Sequence, residues 1–304
     1  MLEDPSQERY IELLKRVLTR YGFSDEDWRE LYLARAPYSV LQPVLDMLRK
    51  RGMVIGRSAK YDKRRRACGL DWPVHAETMV GLRRLDNLHE CIRTIIRENV
   101  PGDLVETGVW RGGASIFMKG VLTAYGETRD LWLADSFEGL PPPDEVNFPR
   151  DKGWRFDKAN SYLAVSEDEV RENFKRYELL DEHVKFVKGW FRDTLGTLPA
   201  TQISLLRLDG DLYESTMEAL EPLYPRVSVG GFCVIDDYSA VKPCEEAVFD
   251  YRAKHKITDP IIDIDGSGVY WRKGLSDNAM PSPVHKQENA AADKENVDWL
   301  VDWM

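Results

Sequence analysis

The apolar positions of the chain form two regions with different patterns. From residue 101 onward, short continuous apolar stretches alternate with longer stretches in which apolar residues recur every three or four positions. The short stretches predict buried strands, and the longer ones predict amphipathic helices. The predicted strands are DLVETG, LWLADSFEG, VKFVKGWF, ISLLRLDGDL, GGFCVIDDY and IIDIDGSGVYWRK. Apolar strands separated by helices are typical of a parallel sheet covered on both faces, so this region predicts an α/β domain.

The region before residue 101 predicts helices. The stretch PSQERYIELLKRVLTRYG has one apolar face, and Ser6 is its predicted N-cap. A second helix is predicted from Ser24, because Ser24 and Asp27 have the spacing of a capping box. Residues 38–52 and 77–99 each carry a further apolar stripe of helical period.

These patterns divide the chain into three parts. Residues 1–70 are predicted to be an N-terminal helical extension, residues 71–273 the α/β domain, and residues 274–304 a polar tail that is disordered or docked. The extension contains a basic segment from Arg49 to Ala67, interpreted as a solvated connector or as an electrostatic contact for an acidic partner. The tail ends in the aromatic stretch VDWLVDWM, which would suit docking on the body or on another subunit.

Composition narrows the classes of partner and compartment. The chain has 304 residues, is 43% hydrophobic, and carries a formal charge of −10. This acidity argues against general binding to nucleic acid or to an anionic membrane. The beginning of the chain lacks an apolar signal core, and no apolar run approaches a membrane span of roughly 18 residues. Four scattered cysteines without a CxxC pair indicate reduced thiols, so a cytoplasmic location is predicted.

A carboxylate stands at the turn after the first predicted strand of the α/β region. The stretch LVETGVWRGGAS places Glu106 where a dinucleotide-binding fingerprint has its first glycine, and Gly108 follows. A carboxylate there repels a pyrophosphate and attracts an ammonium group or ribose hydroxyls, while glycine permits close approach to the backbone. The expected ligand carries an amine and a nucleoside without adjacent phosphates, and S-adenosylmethionine fits. The alternative is a glutamate that caps the next helix.

The second predicted strand also ends in an acid. Asp135 lies at the end of LWLADSFEG, where a carboxylate can accept hydrogen bonds from both ribose hydroxyls of the same cofactor. An N-cap role is the alternative for Asp135. Acids at the ends of two successive strands together favour a nucleoside site.

Two pairs of aspartates follow two later strands. Asp209 and Asp211 end one strand, and Asp236 and Asp237 end the next. If these strands are neighbours, up to four carboxylates converge, which is costly unless a cation lies among them. Ligands made only of oxygen favour Mg²⁺ over Ca²⁺ or Mn²⁺, and the alternative is a set of exposed loop acids. A metal beside a methyl donor predicts O-methylation, because the metal lowers the pKa of a hydroxyl and a carboxylate accepts its proton.

Several long stretches together resemble the macrocin O-methyltransferase family. They are DWPVHAETMVGLRRLDNL, GDLVETGVWRGGASIFMKGVL, ADSFEGLPPPD, VKGWFRDTL, LRLDGDLYESTMEAL, GGFCVIDDY and GVYWR. The resemblance implies a Rossmann-like class I methyltransferase fold with a mostly parallel seven-stranded sheet. It also implies dependence on S-adenosylmethionine and Mg²⁺, methylation of sugar hydroxyls on macrolide and aminocoumarin natural products, and a homodimer or larger homo-oligomer.

The resemblance also implies roles for individual residues. By motif match, Asp209, Asp236 and Asp237 are metal ligands and Asp211 is a general base, a role that Asp209 could share. The implied cofactor residues are Thr78, Met79, Glu106, Gly108, Ser115, Asp135, Ser136 and Trp190. Residues 23–61 look like an insertion relative to the family, so the identity of the acceptor is not implied.

The main hypothesis is an S-adenosylmethionine- and Mg²⁺-dependent O-methyltransferase that acts on a hydroxylated, glycosylated small molecule. One alternative is an NAD(P)-dependent reductase on a similar sheet, against which the position of Glu106 argues. The other is a catalytically silent scaffold that binds partners through the basic segment and the tail, against which the two aspartate pairs argue. A contact between the basic segment and a carrier protein is left open.

Overall fold

The computed structural model describes residues 4–23, 27–30, 42–53, 56–59, 61–71 and 73–274. The polar tail, with its predicted disorder or docking, lies outside the described residues. None of the helices in these ranges is long and apolar enough to cross a membrane. The four cysteines are free thiols, and three of them are buried, as the prediction of reduced thiols requires.

The N-terminal region contains helices and a small antiparallel sheet. Its elements are α1 (Pro5–Leu18), β1 (Asp27–Glu30), α2 (Gln42–Arg49), β2 (Gly56–Ala59), α3 (Lys63–Ala67) and α4 (Leu82–Arg97). The helix predicted from Ser24 is wrong at residues 27–30, which form β1 and pair with β2. A capping box is a local signal, and pairing with a distant strand satisfies the same backbone groups in another way. The rest of that predicted helix lies outside the described residues.

Two helix starts differ from their predictions. Asp4, and not Ser6, caps α1, because the Asp4 carboxylate accepts a hydrogen bond of 2.8 Å from the Ser6 amide. The helix predicted over residues 77–99 begins only at Leu82. The carbonyl of Glu77 accepts a hydrogen bond from the Gly113 amide, 2.9 Å away, so this backbone serves another segment instead of a helix.

Two stretches of the basic segment form regular secondary structure, and Lys63, Arg64 and Arg65 of α3 are exposed, as a solvated connector requires. Residues 56–59 form β2, and α3 begins after Asp62, whose carboxylate caps two of its amides. Arg66 is buried, and its Nε lies 2.7 Å from Oδ2 of Asp71. A buried and paired arginine stabilises this segment against the body, and is not available to an external acidic partner.

The described residues after α4 form a seven-stranded sheet with its covering helices. Its elements are β3 (Asp103–Thr107), α5 (Gly113–Ala124), β4 (Leu131–Asp135), α6 (Asn160–Leu163), α7 (Glu167–Arg176), β5 (Val184–Lys188), α8 (Phe191–Thr194), β6 (Ile203–Leu208), α9 (Tyr213–Leu223), β7 (Val227–Ile235), α10 (Lys242–His255), β8 (Ile262–Asp263) and β9 (Val269–Arg272). The strand order is β5-β4-β3-β6-β7-β9-β8, and the two antiparallel pairs among these described strands are those that β9 makes with β7 and β8. The predicted mostly parallel sheet is confirmed.

Helices cover both faces of this sheet, as apolar strands require. On one face α1, α4, α5 and α7 contribute Ile11, Leu85, Phe117 and Phe174 to one core. On the other face α9 and α10 contribute Leu220 and Val248 to a second core that includes Trp271 of β9. The first helix of the N-terminal extension therefore packs as part of the α/β core. The boundary at residue 70 stays a prediction.

The carboxyl ends of the central strands meet at one edge of the sheet. Thr107 of β3 lies opposite Leu208 of β6, which lies opposite Ile235 of β7. The amide of Asp209 donates to the Thr107 carbonyl and that of Asp236 to the Leu208 carbonyl, both at 2.9 Å. The two aspartate pairs therefore follow adjacent strands, as predicted.

The turn after β3 passes directly over the turn after β6. Gly108 has φ +82°, and a methyl group added to it would overlap the carbonyl oxygen of Asp209. Both the backbone conformation and the close approach therefore require glycine here. Gly126, which follows α5, also has a positive φ of +71° but has no neighbouring atom within 4 Å of such a methyl group.

Replacing Ile11 should show that α1 belongs to the core. The side chain is fully buried, so we expect Ile11→Ala to lower the free energy of unfolding by about 2–5 kcal/mol. The control is Leu13→Ala on the same helix, where the side chain is 61% exposed and the expected change is within about 0.5 kcal/mol. Urea denaturation measures both. Equal effects of the two substitutions would contradict the packing of α1.

The two glycines give a matched test of the close approach. We expect Gly126→Ala to cost about 1–2 kcal/mol, the penalty of a left-handed backbone alone. Gly108→Ala adds a clash with the Asp209 backbone, so it should cost more and should also weaken binding of S-adenosylhomocysteine. Urea denaturation and calorimetry check these expectations. Similar stability and binding for the two variants would show that the two turns are not in contact.

Candidate active site

A cleft opens at the edge of the sheet where β3, β4, β5 and β6 end. Its walls come from the turns after these strands, from the proline-rich stretch after β4, and from the start of α9. Of the residues predicted to bind the cofactor, those that line it are Met79, Gly108, Asp135, Ser136 and Trp190. Both predicted catalytic residues, Asp209 and Asp211, also line it. Thr78, Glu106 and Ser115 lie behind this lining.

Glu106 is fully buried and is held by Ser115, which the sequence singled out, and by Arg207, which sequence reasoning missed. Its carboxylate accepts a hydrogen bond from the Ser115 hydroxyl and forms an ion pair with Arg207. Burial raises the pKa of Glu106 to about 7, although Arg207 and Ser115 act in the opposite direction. The carboxylate thus joins the end of β3 to the first turn of α5 and to the carboxyl-terminal part of β6. Arg207 had a visible signal, a charge inside the apolar stretch ISLLRL.

Asp135 fixes the backbone of the glycine turn. Its Oδ2 accepts a hydrogen bond from the Val109 amide at 2.6 Å, and its Oδ1 accepts one from the Phe137 amide at 2.7 Å. Burial raises the pKa of Asp135, while these backbone hydrogen bonds lower it. Because a carboxylate oxygen can accept more than one hydrogen bond, the edge of Asp135 in the cleft can still receive hydroxyl groups. Ser136, beside it, donates to the Gly139 carbonyl at 2.7 Å.

The segment before α4 covers one end of the cleft. Thr78 is buried, and its hydroxyl accepts a hydrogen bond from the Val80 amide at 3.2 Å, while the neighbouring Met79 lines the cleft. Arg111 of the glycine turn holds this segment, since its guanidinium donates to the carbonyls of Val74 and Ala76 at 2.7 and 3.0 Å. No sequence pattern had indicated this use of Arg111.

Three carboxylates converge beside the cleft in the way that the sequence predicted. Asp209, Asp236 and Asp237 each offer an oxygen, and these oxygens lie within 4.8 Å of one another. Oδ2 of Asp237 is buried and has no hydrogen-bond partner among the described residues. Burial and the charges of Asp211, Asp209 and Asp236 raise the pKa of Asp237 far above its usual range.

Two arginines hold Asp236 between them. Arg207 binds its Oδ1 at 2.7 Å and Arg84 binds its Oδ2, so burial, which raises its pKa, is outweighed and the pKa is lowered. Arg207 also lies 2.9 Å from Oδ2 of Asp209. Arg84 is fixed in turn by Asp265, 2.8 Å away. Arg84 carries no sequence signal of this role, because its partners come from the opposite end of the domain.

Asp211 lies next to this cluster in an unusual backbone conformation. Its φ is +62°, a value that non-glycine residues adopt rarely, and its side chain lines the cleft. Burial, together with the charges of Asp209 and Asp236, raises the pKa of Asp211 to about 7. A carboxylate placed in this way can accept a proton from a ligand in the cleft.

The acids of this cluster fit a divalent cation. The cluster can carry four negative charges, one on each of Asp209, Asp211, Asp236 and Asp237. The positive charges beside it are those of Arg84 and Arg207, and these two arginines also form ion pairs with Asp265 and Glu106. Oδ2 of Asp237, which no described residue binds, fits a ligand to a cation, because buried polar atoms normally have a partner. An all-oxygen donor set is the type that Mg²⁺ prefers.

Comparison with known proteins identifies the family. A profile of the macrocin-O-methyltransferase family (TylF) matches residues 7–273. The chain is 52% identical over 218 residues to the demethyldecarbamoylnovobiocin O-methyltransferase of Streptomyces niveus, with coverage of 71% of this chain and 83% of the relative. It is 51% identical over 273 residues to the 8-demethyl-8-(2,3-dimethoxy-alpha-L-rhamnosyl)-tetracenomycin-C 4'-O-methyltransferase of Streptomyces olivaceus, with coverage of 90% and 95%.

A solved structure shows the same relationship in three dimensions. The O-methyltransferase NovP superposes with a TM-score of 0.76 and 44% identity, covering 88% of this chain and 99% of that chain. The family profile spans most of the sequence, and the relatives match well beyond half of their own lengths. The chain therefore belongs to the macrocin-O-methyltransferase family and is an O-methyltransferase, as the resemblance of its motifs predicted.

Proposed function

We propose that this protein transfers the methyl group of S-adenosylmethionine to a sugar or polyol hydroxyl of a natural product, with Mg²⁺ bound beside the acceptor. The observation that carries the proposal is the convergence of Asp209, Asp236 and Asp237 next to a cleft whose other wall is the glycine turn. A donor site and a cation site that share one cleft suit transfer to a hydroxyl group.

The cleft has the features that S-adenosylmethionine requires. Gly108 permits close approach to the backbone, Asp135 and Ser136 offer acceptors for ribose hydroxyls, and Trp190 offers an aromatic face for the base. Met79 lies where the methionine end would be covered. We propose that Glu106, Ser115 and Thr78 act from behind by fixing the turns, since Glu106 is already bound to Ser115 and Arg207. An NAD(P)-dependent reductase needs a turn that binds pyrophosphate, and here Glu106 stands at the position of the first glycine of such a turn. This position argues against a reductase.

Asp209, Asp236 and Asp237 would hold the cation. When bound, Mg²⁺ lowers the pKa of an acceptor hydroxyl and fixes the direction of its oxygen. Asp237 is the best placed for this, because its Oδ2 has no other partner in the described part of the chain. Arg84 and Arg207 keep Asp236 oriented, so these acids are arranged before a ligand arrives.

The acids also supply a place for the proton. The acceptor oxygen attacks the methyl carbon as the carbon–sulfur bond breaks, and the bonding electrons stay on sulfur to give S-adenosylhomocysteine. The proton of the hydroxyl passes to Asp211, which lines the cleft beside the cluster, and Asp209 can share this role. The intact acid set speaks against a catalytically silent scaffold.

The acceptor is proposed from the relatives and from the cleft wall. One relative is named for demethyldecarbamoylnovobiocin and another for a rhamnosyl-bearing tetracenomycin. Apolar residues on the acceptor side suit the ring systems of such molecules; they are Leu140, Pro141, Pro143, Leu163 and Phe191. We propose a glycosylated small molecule as acceptor, a cytoplasmic location and a homo-oligomeric assembly. A contact with a carrier protein stays untested.

Direct assay tests the proposed function. We expect the purified protein to transfer one labelled methyl group from S-adenosylmethionine to demethyldecarbamoylnovobiocin or to the rhamnosyl tetracenomycin, with mass spectrometry placing the group on a sugar hydroxyl. The already methylated products serve as negative control acceptors. Failure to bind S-adenosylmethionine or S-adenosylhomocysteine by calorimetry would contradict the proposal whichever acceptor is offered.

Loss of the cation should abolish transfer and leave donor binding intact. We expect no turnover in excess EDTA and recovery on addition of Mg²⁺, since the acceptor oxygen then regains its orientation. Asp237→Asn should weaken Mn²⁺ binding, measured by electron paramagnetic resonance without acceptor, by about tenfold or more. The control is Asp193→Asn, an acid whose side chain is 66% exposed and lies outside the cluster. Full turnover after removal of metal by gel filtration in EDTA would refute the metal role.

A further inference from the structure

A proline-rich loop forms part of the rim of the cleft, on the side where we propose that the acceptor binds. This rim loop, residues 139–154, follows β4, and its residues Leu140, Pro141 and Pro143 line the cleft. The loop contains no long element of secondary structure, only a short helical turn at residues 149–151. Its position therefore depends on the contacts that attach it to the rest of the molecule.

Asp151 attaches the rim loop to the start of α9. This side chain is 0% exposed although it belongs to a surface loop. Its Oδ1 accepts a hydrogen bond from the Tyr213 amide at 2.7 Å, and its Oδ2 accepts one from the Glu214 amide at 3.0 Å. The residue before α9 is Leu212, which has no side-chain oxygen. Asp151, 62 positions before Tyr213, caps this helix instead.

The helix start that Asp151 holds continues directly from the acids of the cleft. Asp209 to Leu212 form the turn between β6 and α9, and Asp211 within it has the rare φ of +62°. Such a conformation persists only where surrounding contacts enforce it. The Ser215 hydroxyl bonds the Gly210 carbonyl and thus fixes this turn to the first turn of α9.

The rim loop is held by hydrogen bonds within it and by Asn160 of α6. Asp144 accepts from the amides of Val146 and Asn147, and the Glu145 carboxylate accepts from the Gly153 amide at 3.3 Å. Asn160 of α6 bonds both the amide and the carbonyl of Leu140, at 2.9 and 2.8 Å. The Asp151 amide donates to the Phe148 carbonyl at 3.0 Å, and the Phe148 amide donates to the Asp144 carbonyl at 2.8 Å. Residues 141–143, three prolines with a fixed φ, join Asp144 to Leu140, so a displacement at Asp151 is passed on to the part of the loop that lines the cleft.

Other contacts between the loop and the helices are more exposed. Arg150 forms an ion pair of 2.8 Å with Asp250 of α10, but both side chains are about a third exposed or more. Exposed ion pairs of this kind contribute little to stability. The buried carboxylate of Asp151, on two backbone amides at a helix N-terminus, is the stronger attachment.

We propose that Asp151 is a positioning residue for methyl transfer. By bonding Tyr213 and Glu214, it sets the distance between the apolar rim at Leu140 and the turn that carries Asp211. One substructure thus fixes both the acceptor wall and the acid that receives the proton. The proposal rests on the proposed function, and its experiment separates the two.

Asp151→Ala tests this role in the full-length protein. We expect kcat/KM to fall by about ten- to a hundredfold, through a higher KM and a lower kcat, because small misplacements of reacting groups have effects of this size. The acceptor used is the one to which the wild-type protein transfers a methyl group. The Kd of S-adenosylhomocysteine should stay unchanged, since the glycine turn and Asp135 are untouched. Asp151→Asn keeps one acceptor oxygen for one amide, so it should lie between the wild type and Asp151→Ala.

The matched control is Asp62→Ala. Asp62 also caps a helix through two backbone amides, those of Arg64 and Arg65 at 2.8 and 3.0 Å, but α3 does not line the cleft. We expect it to leave both kcat and KM at wild-type values. If Asp151→Ala does not fold, Asp151→Asn is compared with the control instead. Wild-type kcat/KM in the folded Asp151 variant would overturn the proposal and leave Asp151 a merely structural cap.

Hydrogen exchange keeps the proposal testable if neither acceptor is methylated. In that case the proposed acceptors fail, but Asp151→Ala should still accelerate amide exchange at Leu212 and Leu140, which lie on the two sides of the cleft. Asp62→Ala should leave both rates unchanged. Unchanged exchange at Leu212 and Leu140 in the Asp151 variant would overturn the positioning role without reference to any acceptor.

Discussion

The cleft depends on a buried guanidinium in the middle of the sheet. Arg207 of β6 contacts Glu106 of β3 and also Asp209 and Asp236, which follow β6 and β7. Without this positive charge, carboxylates from three adjacent strands would face one another in the interior, where an uncompensated charge costs several kcal/mol. Arg207 therefore allows acids from three strands to gather at the edge of a folded sheet.

The same charge pattern divides the acids into two kinds. Asp236 is fully engaged, because Arg207 and Arg84 approach it from two sides and Asp265 fixes Arg84. Asp237 keeps a buried oxygen that no described residue satisfies. One acid is thus fixed by its ion pairs, and its neighbour has an oxygen that no described residue binds. The cation that we propose would balance the negative charge that these acids carry when they are ionised.

The apolar pattern predicted the large sheet because a strand that is buried on both faces is a nearly continuous run of apolar residues. It failed for β1, whose partner β2 begins at Gly56 and is invisible to a local signal such as a capping box. The acids of the cleft could be found because their positions at strand ends are set by topology. The contacts of Arg84 and Asp151 could not be predicted, because their partners are distant in sequence. Arg84 binds Asp236, 152 positions away, and Asp151 binds the amide of Tyr213, 62 positions away.

The docking of α1 has a consequence for the order in which the chain folds during synthesis. Ile11 and Leu18 of α1 are buried, and α1 packs against α5, which is made roughly a hundred residues later. At the usual rate of translation this interval is on the order of 10 s. During this time α5 is not yet available to cover the apolar face of α1. The α1 segment is thus exposed to chaperones and to proteolysis until α5 has also left the ribosome.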